Sequence, residues 1–259
     1  MIDPVYIHLH YNKMAKTKEA PKIKETGNSK QRYHWLDQLR ALAMIMMAIY
    51  HFSFDLNYFG VLHENMNHDP FWLTFRAIIM SLFTFVMGFS FFLAKPKSFD
   101  KKFKLRLLKL FLCAAAISIF TYLTNPISWI YFGILHLIFV STFFSFFIVK
   151  KPEVSAPLAA FFIILPLVYR NFFFMKDSLI ITGLSPLKPV TEDFAPLFPW
   201  FGVVCLGIFM AFLYRKWNLN FKWREFYYVE KLGKNSLLFY MTHQFVLMPL
   251  AWLIARITQ

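Results

Sequence analysis

Arg40, His51 and Asp55 share one apolar run, LRALAMIMMAIYHFSFD at 39–55, where hydrocarbon would penalise each of them. Arg40 and His51 are eleven residues apart, which on a helix is three turns, within about 20° of one face and about 16 Å along the axis. Asp55 follows His51 at i+4, and Asp37 precedes Arg40 at i−3, spacings at which helical side chains touch. Histidine is the side chain suited to take a proton near neutral pH. A carboxylate beside it fixes the tautomer and steadies the imidazolium. Such a pair suits a general base that activates a hydroxyl or amine for attack on an acyl carbonyl. Two plainer readings stand beside this one: a rim ion pair for Arg40 with Asp37, and a helix-packing hydrogen bond for His51 with Asp55.

A second basic element, KKFKLRLLK at 101–109, leads into another apolar run. Arg106 and Lys109 lie three apart on one helix face and could hold phosphates; ordinary flanking charge explains the remaining lysines. His136 in GILHLIF and His243 in NSLLFYMTHQFVL are further imidazoles inside apolar runs. Either reads equally as a satisfied interhelical hydrogen-bonding group, His243 more so. The segment HENMNHD brings His63, Glu64, His68 and Asp69 together, but their spacing matches no metal pattern and a solvated loop explains Glu64 and Asp69. No metal is expected. There is no phosphate-cradling glycine loop, H-E-x-x-H or G-x-S-x-G.

The elements that must position these residues are membrane helices. Of 259 residues, 58% are hydrophobic and 34 are phenylalanine, more than one soluble core of this length requires. Apolar runs of about 20 residues mark spanning segments. They fall near 36–57, 73–94, 107–124, 130–149, 155–173, 197–214 and 235–255. Residues 1–32 form a lysine-rich flexible tail without apolar periodicity and without a cleavable signal, leaving 33–259 as the membrane domain. Basic residues gather before the first run and in alternate loops, which places the N-terminus in the cytoplasm and the C-terminus outside. The expectation is an all-α integral membrane bundle of about seven transmembrane helices. The net charge of +14 then belongs to the rim facing anionic headgroups, and nucleic acid is excluded as a partner. Cys113 and Cys205 lie within apolar runs and read as packing residues.

The stretch RYHWLDQLRALAMIMMAIYHFSFDLNYFG resembles the opening of bacterial proteins related to the heparan-alpha-glucosaminide N-acetyltransferase catalytic domain. FGILHLIFVS (132–141), FPWFGVVCLGI (198–208) and LGKNSLLFYMTHQFVL (232–247) continue the likeness in order, over about residues 32 to 255. The first-helix arginine and histidine are also similar to the signature of the wider transmembrane acyltransferases. The resemblance implies transfer of an acyl group, commonly acetyl, from acetyl-CoA on the cytosolic side to an acceptor on the other. It implies functional roles for Arg40 and His51, and for Arg106 and Lys109 as the counterpart of a basic motif after the second helix, with lysine where a second arginine is usual. The loop histidine of the eukaryotic heparan enzyme has His68 as its nearest counterpart, displaced by one residue relative to Met87–Gly88.

These readings converge on an acetyl-CoA-dependent acyltransferase of the bacterial inner membrane. Arg40, Arg106 and Lys109 hold the CoA phosphates, His51 is the general base oriented by Asp55, and His68 and His136 serve acceptor binding or acyl relay. The acceptor is a hydroxyl or amino group of an envelope glycan or lipid-linked molecule, and the oligomeric state stays open. A proton-coupled transporter using the same histidines as a relay is the rival, followed by a non-catalytic protein that retains the fold.

Overall fold

The computed structural model describes residues 33–258 except Lys97, Asp177 and 220–222; the basic tail at 1–32 lies outside the described residues. Every regular element among these is helical. In chain order they are α1 (His34–Tyr58), α2 (Pro70–Ala94), α3 (Lys101–Thr124), α4 (Ile134–Ile148), α5 (Ser155–Val168), α6 (Leu197–Lys216), α7 (Tyr227–Lys234) and α8 (Ser236–Thr258). The helix starts follow local chemistry. Asp69 accepts the Phe71 N–H at 2.7 Å with Pro70 behind it, and Asp100 accepts the Phe103 N–H at 2.8 Å, so both helices begin on side-chain caps.

Each of the seven apolar runs contains a helix, and five of these, α1, α2, α3, α6 and α8, are long and apolar enough to cross a membrane. The expected spans at 130–149 and 155–173 are shorter: α4 has 15 residues and α5 has 14. At 1.5 Å per residue each covers about 22 Å, less than the roughly 30 Å hydrocarbon core. The physical reason is visible at both ends. The Ile134 N–H is taken by the Asp193 carboxylate at 3.0 Å, so α4 starts only after Gly133. Beyond α5 the chain turns away, with the Asn171 N–H on the Leu184 carbonyl at 3.0 Å. The backbone before α4 and before α6 is irregular and pairs with itself: the N–H groups of Glu192 and Ala195 bond the carbonyls of Ser128 and Phe132 at 3.1 and 3.0 Å.

α2 and α6 make the most extensive pairing, and glycines set its closeness. A Cβ on Gly88 would stand 2.1 Å from the Val204 carbonyl oxygen, and one on Gly207 would stand 2.3 Å from that of Phe85. Small residues at helix crossings let backbones approach this closely in membranes. By contrast α3 and α8 expose Leu108, Phe111, Leu123, Val246, Trp252 and Leu253, the apolar surface that lipid covers.

α7, a short helix absent from the sequence expectation, docks on the start of α1. Gly233 allows it, because a Cβ there would be 1.9 Å from the Asp37 carbonyl oxygen. Its Glu230 is buried. It meets His34 Nδ1 at 2.7 Å and accepts from Gln38 Nε2 and the Phe226 N–H, each at 3.2 Å. Gln38 also accepts from the Trp223 indole. The hydrogen bond from His34 is the largest influence holding the Glu230 carboxyl below its ordinary range, with those from Gln38 and Phe226 adding to it and burial opposing. A carboxyl whose folded pKa is depressed binds fewer protons in the native state, so its stabilisation is full above the unfolded value and fades as pH falls through the folded one. Acid titration followed by tryptophan fluorescence should therefore release the α7 dock only at pH below the ordinary glutamate range, and Glu230→Gln should remove that transition. The same transition in the variant would assign it to another group.

Candidate active site

The α1 stripe exists as a helix face, and the bundle adds partners at three depths. At the basic end, Arg40 donates from Nη1 to Asp37 Oδ1 at 2.6 Å and from Nη2 to Ser90 Oγ at 2.5 Å. Ser90 belongs to α2, which thereby fixes the guanidinium against a second helix. The following residue, Phe91, lies under the Arg106 guanidinium, 5.5 Å from the ring centroid, and Arg106 is within electrostatic range of Arg40. Two like charges with Asp37 as the paired carboxylate make an end that favours an anion. Arg106 and Lys109, one turn apart, are both exposed on α3, and it is Arg106 that lies within electrostatic range of Arg40.

About 16 Å deeper, the ring of His51 lies 6.0 Å from that of Tyr50 and 5.1 Å from that of His243 on α8. The expected orienting bond from Asp55 is not what the carboxylate makes: both its oxygens accept from Gln244 Nε2, at 2.7 and 2.8 Å. Asp55 therefore ties α1 to α8 beside the imidazole. His243 Nδ1 faces the Tyr240 carbonyl at 2.7 Å. Because a carbonyl only accepts, that nitrogen carries the proton, and Nε2 of the neutral ring keeps its lone pair. This Nε2 is buried without a hydrogen-bond partner among the described residues. Phe239 stacks on the ring at 6.1 Å and 11°, holding its plane.

Below this pair lies a charged floor. Asp193, half-buried in the segment before α6, accepts from the Ile134 N–H at 3.0 Å and the Tyr240 hydroxyl at 3.3 Å. It is also within electrostatic range of Lys188 and Arg76, and Arg76 in turn of Tyr50. Gly133 is required here: a Cβ would come 2.4 Å from Asp193 Oδ2. Tyr240 joins this floor to the histidines, its ring 5.7 Å from that of His243, and it packs against the Met44–Met47–Ile79 core.

The other candidate histidines stand apart. His136 Nδ1 accepts the Gly133 N–H at 3.2 Å, so Nε2 carries the proton and meets Ser118 Oγ at 3.1 Å, which donates to the Ile130 carbonyl at 2.6 Å. Both ring nitrogens are occupied in closing the start of α4, which leaves no free lone pair for a base. It borders a mostly apolar hollow of about 360 Å³ between α3 and α4. His68 is exposed in the turn before α2. Asp69 caps that helix, and no group of three metal-binding side chains occurs among the described residues. Sequence reasoning passed over Arg76, Asp193 and Gln244. Arg76 carried a usable signal, a lone charge within FWLTFRAIIM. Asp193 and Gln244 carried none, since nothing local marks them as partners of α1 or α4.

No curated protein and no solved structure gives a significant match to the chain. The family model described as heparan-alpha-glucosaminide N-acetyltransferase, catalytic, matches residues 32–245, from just before α1 through the His243–Gln244 pair. That range takes in Arg40, Arg106, His51, Asp193 and Tyr240, and the protein belongs to the heparan-alpha-glucosaminide N-acetyltransferase catalytic family.

Proposed function

We propose that the protein moves an acetyl group across the bacterial inner membrane, from acetyl-CoA at the basic, cytoplasmic end to a hydroxyl or amino group of an envelope glycan or lipid-linked acceptor at the other. In this reading α4 and α5, completed by the irregular segments beside them, make up seven crossings with the C-terminus outside. Arg40 and Arg106 hold the CoA phosphates by donating charge-assisted hydrogen bonds to them, with Lys109 at the rim. The pantetheine arm runs inward along the α1 face, and its thioester meets His51. His51 takes the acceptor proton as general base. Asp55 keeps α1 and α8 in register around it. Asp193, Arg76 and Tyr50 offer the mixed donors and acceptors that a polyhydroxylated acceptor needs, with His68 at the outer mouth. His136, beside the hollow between α3 and α4, serves acceptor binding rather than acting as the base.

The observation that supports this most is the line from Arg40 and Arg106 at one end to His51 about three helical turns deeper. Purified protein in lipid nanodiscs, given labelled acetyl-CoA and an envelope extract, should release CoA and leave an acetylated product visible by mass spectrometry. A folded protein that neither binds acetyl-CoA in calorimetry nor releases CoA would sink the reading. Solute uptake into proteoliposomes without acetyl-CoA consumption would point to the relay transporter instead.

A further inference from the structure

His51 has a second imidazole 5.1 Å away, and three features of that neighbour set it apart from a packing residue. Its Nδ1 proton is tied to the Tyr240 carbonyl at 2.7 Å, which fixes the tautomer without any carboxylate. Its Nε2 lone pair is buried and has no partner among the described residues, although a packed interior rarely leaves such a group unused. Its ring is held in place by Phe239 and Tyr240, at 6.1 and 5.7 Å. His136 shows the contrast within the same fold, since both its nitrogens are spent on α4 and its connecting loop.

We propose that His243 is the proton-accepting partner of His51, so that the two rings work as one unit holding a single extra proton between them. This rests on the acyl-transfer reading above. As the acceptor oxygen or nitrogen attacks the thioester carbonyl carbon, its proton passes to one ring nitrogen of His51. The proton on the other nitrogen of His51 passes to His243 Nε2, directly or through one water. The tetrahedral adduct then collapses: the carbon–sulfur bond breaks, its electron pair leaves on the CoA sulfur, and the proton returns through the same two rings to that thiolate. Atoms and charge balance as acyl-thioester plus acceptor giving acyl-acceptor plus CoA thiol. The unit carries one added proton because two imidazolium rings this close would repel. The Tyr240 carbonyl, fixed in the first turns of α8, accepts from His243 throughout and steadies the charge while it resides there.

His243→Phe, which keeps the aromatic stack, and His243→Ala, which opens a space, test this in the full-length protein in nanodiscs with acetyl-CoA and envelope extract. Both should lower kcat for CoA release by about 100-fold or more and leave KM for acetyl-CoA and calorimetric binding unchanged. Added imidazole should restore part of the rate to His243→Ala and none to His243→Phe. A His243→Phe protein within threefold of wild type would show that the ring only packs. A joint loss of acetyl-CoA binding and thermal stability, unrelieved by imidazole, would likewise assign it a structural role. Neither result touches the acyl-transfer reading, which stands or falls on wild-type CoA release and on His51.

Discussion

Replacing His51 with glutamine is expected to cut acetyl transfer by about 10²–10⁴-fold, the range that a positioned general base supplies, while acetyl-CoA still binds. The two effects separate because the groups lie at different depths. Arg40 is held by Asp37 and Ser90 and Arg106 lies over Phe91, contacts that do not involve the imidazole. The substitution also spares the register of the bundle, since Asp55 is bonded to Gln244 rather than to His51. Its loss is therefore a loss of proton transfer and not of helix pairing. Steady-state CoA release with envelope extract, read beside calorimetric acetyl-CoA binding and thermal stability, gives the answer. His51→Gln retaining wild-type turnover would remove the imidazole from the mechanism. Unchanged stability with lost turnover is the outcome the proposed mechanism requires.

The part of this site legible in the sequence is the part set by helical period. Arg40, His51 and Asp55 sit on one face because 3.6 residues per turn place them there, and the Arg40–Asp37 pair follows from the i−3 spacing alone. The orienting role expected for Asp55 shows where that logic ends. An i+4 spacing brings two side chains within reach, but Gln244, 189 residues away along the chain, takes both carboxylate oxygens. The same holds for the His51–His243 pair, which is made by the docking of α8 and not by any local pattern.

The span count met a related limit. Hydropathy identifies an apolar run but not the point at which it stops being helical, because irregular backbone packed inside protein is as apolar as a helix. WIYFGILHL reads continuously, yet α4 begins only at Ile134. What decides the start is Asp193 taking the Ile134 N–H, a bond across 59 residues that no window of the sequence contains. α7 was hidden for the opposite reason: its mixed sequence YYVEKLGK lies in a basic stretch that topology alone explained. Its order comes from Glu230 and Gly233 against α1.

Gly88→Leu should be the most damaging single change outside the site, and the reason lies in what the new side chain would strike. The position faces the Val204 backbone, with the carbonyl oxygen at 2.1 Å and the carbonyl carbon at 2.9 Å from an added Cβ. A clashing side chain can rotate away, but a helix backbone cannot, so α2 and α6 would have to separate. The reciprocal contact of Gly207 with Phe85 leaves no direction in which a small slide relieves both. Overpacking in a tight core costs about 1–3 kcal/mol, occasionally more, and a backbone clash places this substitution at or above the upper end. The damage should also reach the donor end, because Ser90, which holds Arg40, lies two residues further along α2. Thermal unfolding in detergent should show a large fall in Tm for Gly88→Leu, with acetyl-CoA binding weakened in the fraction that remains folded. Leu123→Ile, on an apolar surface 75% exposed on α3, should change neither. An unaltered Tm for Gly88→Leu would mean that α2 and α6 do not pack backbone to backbone in the membrane.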